Sequence, residues 1–112
     1  MSVKVGRMIK MLRKEKGVSL RELAKEVGVS FVNISYIENG KIETSKEVLR
    51  KIAEKLGYNF DKLLSLTSSI DDDIIEIINN KPDLIPTFLR SAKSLNNVEW
   101  EQLIKSIKKN KI

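Results

Sequence analysis

The stretch from Leu20 to Asn39 constrains this chain more than any other, because three of its positions accept few residue types. Ala24 stands where two helices must cross closely, so its side chain has to be small. Gly28, four residues on, opens a tight turn where a positive φ is expected, and glycine takes that conformation without strain. Ile34, six residues further, is placed to plug the second helix back onto the first. The ends of both helices are written just as clearly. Ser19 is a good N-cap, and Glu22 three residues later makes a capping box. Ser30 is a second N-cap, and Asn39-Gly40 is a closing turn signal. The pattern predicts one helix from Ser19 to Val27 and a second from Ser30 to Glu38, joined as a helix-turn-helix.

The flanking sequence is helical too. Alternating β-branched runs are absent, which places the chain in the all-α class. Val5, Ile9 and Leu12 line a first helix over 3–16, stopped by Gly17. Val48, Leu49, Ile52, Ala53 and Leu56 line another over 45–56, stopped by Gly57. A short one starts at Asn59 and carries Phe60, Leu63 and Leu64. Thr67-Ser68-Ser69 reads as a linker, so the expected division is residues 1–66 and residues 67–112. Beyond it, helices are expected over 71–79, over 84–94 with Pro86 in the first turn, and from Asn96-Asn97 to about 109.

Charge separates the two parts. Residues 1–66 hold fourteen Lys and Arg against eight Asp and Glu; residues 67–112 hold seven of each. The whole net charge of +6 therefore belongs to the first part, which suits a polyanionic partner. The chain has no Cys and no His, which removes the commonest metal ligands and the commonest general base. No cofactor, metal or catalytic site is expected, and Asp71-Asp72-Asp73 reads as acid at the positive end of a helix dipole. No apolar run is long enough for a bilayer and no signal peptide is visible, so no membrane partner is expected and the cytoplasm is the expected location.

The run from Gly17 to Lys41, with its Ile37-Glu38-Asn39-Gly40-Lys41 ending and the following Leu49 to Gly57 segment, resembles the Cro/C1-type helix-turn-helix, the xenobiotic-response-element (XRE) family of transcriptional regulators. The resemblance covers residues 3–66. It implies a five-helix, lambda-repressor-like domain whose third helix enters the major groove of a double-stranded DNA operator. It assigns base reading to Ser30, Phe31, Val32, Asn33 and Tyr36, where Tyr36 meets either a base edge or a phosphate. The residues agree, since an inward Ile34 and Ile37 turn 32, 33 and 36 outward. Asn33 can offer a donor and an acceptor together to adenine. Phe31 and Val32 depart from the glutamine or arginine of many relatives. They either meet thymine methyls, favouring a site with A·T pairs, or Phe31 folds back against the second helix. Phosphate contacts are assigned to Arg13, Ser19, Arg21, Asn39, Lys41 and Lys46, together with free N–H groups at 19–21 and 30–32. In the family pattern Arg13 pairs with Glu38 and faces a phosphate; the alternative is an ordinary surface ion pair. Leu20 stands where relatives often carry a polar, phosphate-contacting residue, so its side chain is not expected to reach a phosphate.

The second part carries apolar residues around a whole helix, at Ile74, Ile75, Ile77 and Ile78, and more at Phe88, Trp100, Leu103 and Ile107. So small a unit buries too little by itself, and a homodimer through Ile74, Ile75, Ile78, Phe88, Trp100, Leu103 and Ile107 is expected. The alternative is that these helices cap their own N-terminal part. The expected function is a regulator, more specifically a repressor, reading a pseudo-palindromic operator as a dimer. The competing reading is an antitoxin or interaction protein whose C-terminal helices bind a toxin, an inhibitor or a protease.

Overall fold

The structure, a computed structural model, describes residues 2–110. Among them are eight helices and no strand: α1 (Ser2–Glu15), α2 (Leu20–Val27), α3 (Phe31–Glu38), α4 (Lys46–Leu56), α5 (Phe60–Ser65), α6 (Asp72–Asn80), α7 (Leu84–Ala92) and α8 (Asn97–Lys109). The chain divides into two compact units, Met1–Ile74 and Ile75–Ile112.

Side-chain caps start the helices where the sequence places them. The hydroxyl of Ser19 accepts the Glu22 N–H at 3.0 Å, that of Ser30 the Asn33 N–H at 3.1 Å, and that of Ser45 the Val48 N–H at 3.1 Å. Each such cap contributes about 1 kcal/mol by satisfying an N–H that the helix leaves open. The Ser19 N–H also donates to Glu22 Oε1 at 3.4 Å, which closes the capping box. Asn96 and Glu99 form a second box at the start of α8. At the turn, Gly28 has φ +83° and its N–H donates to the Ala24 carbonyl at 2.8 Å.

The core of the first unit forms where these short helices cross. α3 packs on α1 and α2, and α4 packs on α2 and α5. Ile9, Leu23, Ile34, Ile52 and Leu63 are fully buried at its centre, with Val5, Ala24, Val27, Ile37, Leu49, Ala53, Leu56 and Leu64 around them. Val48 and Phe60, expected inward, are half-buried and lean on this core from its edge.

The first unit runs past residue 66 because two cations of α4 hold the chain that follows α5. Arg50 pairs with Asp71 at 3.2 Å and lies over the Phe60 ring at 4.2 Å. Lys46 donates to the Ile70 carbonyl at 2.8 Å and to Asp72 Oδ1 at 2.9 Å. Partial desolvation pushes the Asp71 carboxyl up, but the hydrogen bonds from Arg50 and the Asp72 N–H, with the charges of Arg50 and Lys46, outweigh it and hold the pKa below the ordinary aspartate value. The polar stretch at 67–69 thus reads as a linker by composition, while the break between the units falls inside α6.

In the second unit Phe88 of α7 and Trp100 of α8 meet edge to face at 6.0 Å. Ala92 is its one buried residue among those described. Pro86 sits in the first turn of α7, where its missing N–H costs nothing.

Gly6 has no counterpart in the sequence expectations. It is buried in the middle of α1, and a Cβ there would press into the carbonyl oxygens of Ile37 and Glu38 at the end of α3. In an open helix, Gly→Ala stabilises by about 1 kcal/mol. Here Gly6→Ala is expected to destabilise instead, by about 1–3 kcal/mol, because backbone must move aside. Urea unfolding of the two proteins measures the sign directly.

Candidate nucleic-acid interface

α3 is an eight-residue helix with two opposed faces. Ile34 and Ile37 are buried, and Glu38 joins them at its C-terminal end. Phe31, Val32 and Tyr36 remain 40–44% exposed, an unusual amount of apolar surface on so short a helix. Asn33 lies at the margin, half-buried, and its side-chain amide has no hydrogen-bond partner among the described residues. Ser35 is half-buried. The Ser30 hydroxyl accepts as the cap of α3 and keeps its own proton to donate.

Cations flank this face. The Arg21 guanidinium lies over the Phe31 ring at 4.5 Å from its centroid, and the Lys41 ammonium stands 5.8 Å from that of Tyr36. Asn39 is exposed, within 3.5 Å of the Ser35 hydroxyl. The first turns of α2 and α3 leave the N–H groups of Leu20, Arg21, Phe31 and Val32 without a helical partner. Ser19, assigned to the same set, has its N–H turned back to Glu22. Sequence spacing could not reveal the ring contacts, since they join residues ten and five apart across turns.

Two assigned phosphate residues are occupied elsewhere. Arg13 is nearly buried, its Nε donating to Glu38 Oε2 at 2.6 Å, Nη2 to Oε1 at 3.1 Å and Nη1 to the Val18 carbonyl at 3.0 Å. With side chains only 10% and 3% exposed, this is not an ordinary surface ion pair. It is a bidentate tie between α1 and α3, and it leaves the guanidinium little surface to offer a phosphate. The Lys46 ammonium is engaged by Ile70 and Asp72, so a phosphate would have to displace them.

The helix-turn-helix family pattern (HTH_3) matches residues 9–63. The 10 kDa protein of the immF control region of Bacillus phage phi105 is 44% identical over 60 residues, 54% of this chain and 67% of that protein. The chain belongs to the Cro/C1-like, XRE-type helix-turn-helix family. This is a family of DNA-binding transcription regulators and not an enzyme class. The structure of the clp gene regulator ClgR from Corynebacterium glutamicum matches over 80% of this chain and 92% of that one, with 28% identity and a TM-score of 0.55. A complex of SinR protein with SinI protein matches over 96% and 97%, with 25% identity and a TM-score of 0.54. A helix-turn-helix regulator thus accounts for α1 to α5, and the described residues contain no helix long and apolar enough to cross a membrane.

The buried pair also sets a stability test. Glu38→Ala strands the Arg13 charge in the interior and is expected to cost about 3–5 kcal/mol, far more than removal of an exposed pair. Chemical denaturation against the unaltered protein measures it.

Proposed function

We propose that this chain is a sequence-specific repressor that binds a pseudo-palindromic double-stranded DNA operator as a homodimer. The observation that carries the first half is the exposed face of α3: Val32 and Tyr36 project, with Asn33 at the margin, from a helix whose opposite side is anchored by Ile34 and Ile37. That face is short enough for the major groove and flanked by Arg21 and Lys41. Asn33 is the candidate adenine reader. Arg21, Asn39, Lys41 and the open N–H groups of α2 and α3 form the candidate phosphate set. Such a regulator works in the cytoplasm, on the nucleoid.

The second half rests on the uncovered apolar surface of the C-terminal helices. The unit Ile75–Ile112 has 38 residues, close to the lower limit at which a chain folds without metal, disulfide or partner. Phe88, Leu89, Ile104 and Ile107 are each more than 40% exposed, and Trp100 and Leu103 only half-buried. A second copy packed on Ile75, Ile78, Phe88, Trp100, Leu103 and Ile107, with Ile74 beside them, would cover this surface and set two α3 helices on successive half-sites.

A second reading uses the same helices for another protein, such as an inhibitor, a toxin or a protease. It is favoured by the likeness of this chain, over nearly its whole length, to a structure in which SinR is held in complex with SinI.

Asn33→Ala should weaken binding to a duplex selected from a random pool by about 1–3 kcal/mol, yet leave affinity for unselected duplex unchanged. Equal weakening on both, in titrations at one salt concentration, would remove Asn33 from base reading. Leu103→Asp should lower the sedimenting mass to that of one chain. A dimer that persists would move the interface elsewhere.

A further inference from the structure

The Arg21–Phe31 contact joins the second residue of α2 to the first residue of α3. At 4.5 Å from the centroid it is well inside the roughly 6 Å range of a cation–π contact. Among the described residues no carboxylate or carbonyl holds Arg21, so the ring alone orders it. A cation–π contact uses the charge of the guanidinium and none of its N–H donors, so a phosphate can still take two of them at once. The same device appears once more in this protein with the opposite outcome. Arg50 lies on Phe60 at 4.2 Å, but its Nη2 donates to both carboxylate oxygens of Asp71. Arg50 is thereby a structural tie, whereas Arg21 is seated and unspent. The neighbouring Leu20 has no polar group to offer a phosphate.

We propose that Phe31 is a positioning residue: its ring seats the Arg21 guanidinium beside the first turn of α3, ready for a DNA phosphate, and Phe31 itself reads no base. This rests on the reading of the chain as a DNA-binding regulator. The benefit is preorganisation, because a long side chain already held near its bound geometry loses less freedom on binding. Phe31 then supplies affinity for any sequence, and discrimination falls to Val32, Asn33 and Tyr36. Lys41 stands farther from Tyr36, at 5.8 Å, and is not seated in the same way.

The test uses the full chain and a random-sequence duplex of about 30 base pairs, titrated at several salt concentrations. Arg21→Ala should weaken binding and flatten the log–log salt dependence by about 0.9 for each phosphate that Arg21 neutralises. Phe31→Leu should weaken binding about two- to fivefold, the range of one cation–π contact, with a flattening of the same sign. Phe31→Tyr, which keeps the ring, should restore both. In the Arg21→Ala background, Phe31→Leu should change nothing further. Random-duplex affinity that is indifferent to Phe31→Leu or to Arg21→Ala overturns the inference, as does an equal effect of Phe31→Leu with Arg21 already removed. Circular dichroism separates these outcomes from unfolding; if Phe31→Leu does not fold, Phe31→Met takes its place. Failure of the unaltered chain to bind any duplex at low salt overturns the regulator reading itself, and is distinguishable because it requires no variant.

Discussion

Everything on the exposed face of α3 depends on how α1 holds that helix from behind. Gly6 lets the backbone of α1 approach the last carbonyls of α3, and Arg13 reaches the same end of α3 through two hydrogen bonds to Glu38. An eight-residue helix has little stability of its own. Its orientation comes from these contacts and from Ile34 and Ile37 in the core. The ion pair is desolvated on both sides, so its value lies less in net stability than in geometry, since the guanidinium and carboxylate planes match in one arrangement. The third nitrogen, donating to the Val18 carbonyl, fixes the entry of α2 at the same time. One arginine thus ties α1, the α1–α2 turn and α3 together, and no buried side-chain nitrogen or oxygen among the described residues lacks a partner.

Given that frame, the opposite side of α3 is free to be chosen for chemistry instead of packing. It carries a branched aliphatic, an amide and two aromatic rings, with cations set against both rings. The basic excess of the first unit is therefore not spread evenly in its effects. Arg13, Lys46 and Arg50 are used internally, and Arg50 and Lys46 keep Ile70 to Asp72 on α4. Arg21 and Lys41 remain outward. The C-terminal unit follows a different logic. Its last helix is well capped and its helices are amphipathic, yet Ala92 is almost all they bury, and their remaining apolar surface asks for a partner chain.

Much of the fold was legible because the signals are local. A hydroxyl three residues before an N–H, or a glycine where φ must be positive, acts within one turn, so Ser19, Ser30, Ser45, Asn59 and Gly28 announce their elements without knowledge of anything distant. The inward positions of α1 to α5 follow from helical period alone, except that Val48 and Phe60 are half-buried at the edge of the core. The partnership of Arg13 with Glu38 was legible only through family resemblance, since 25 residues separate them. Of the candidate site, the outward set on α3 was readable from the period. The seating of Arg21 on Phe31 was not, nor was the capture of Lys46.

By itself, then, the sequence determined the number of helices, their ends to within two residues, the inner faces of α1 to α5 and the uneven charge of the two halves, because each is set by neighbours within a few residues. Only the tertiary structure decided that Gly6 is a contact point, that the Arg13 guanidinium faces the interior, and that the first unit extends to Ile74. It also decided which cations stay free. Those outcomes depend on which helices meet and how closely, and side chains far apart in the chain share a dielectric, a hydrogen bond or a steric limit only after the core has brought them together.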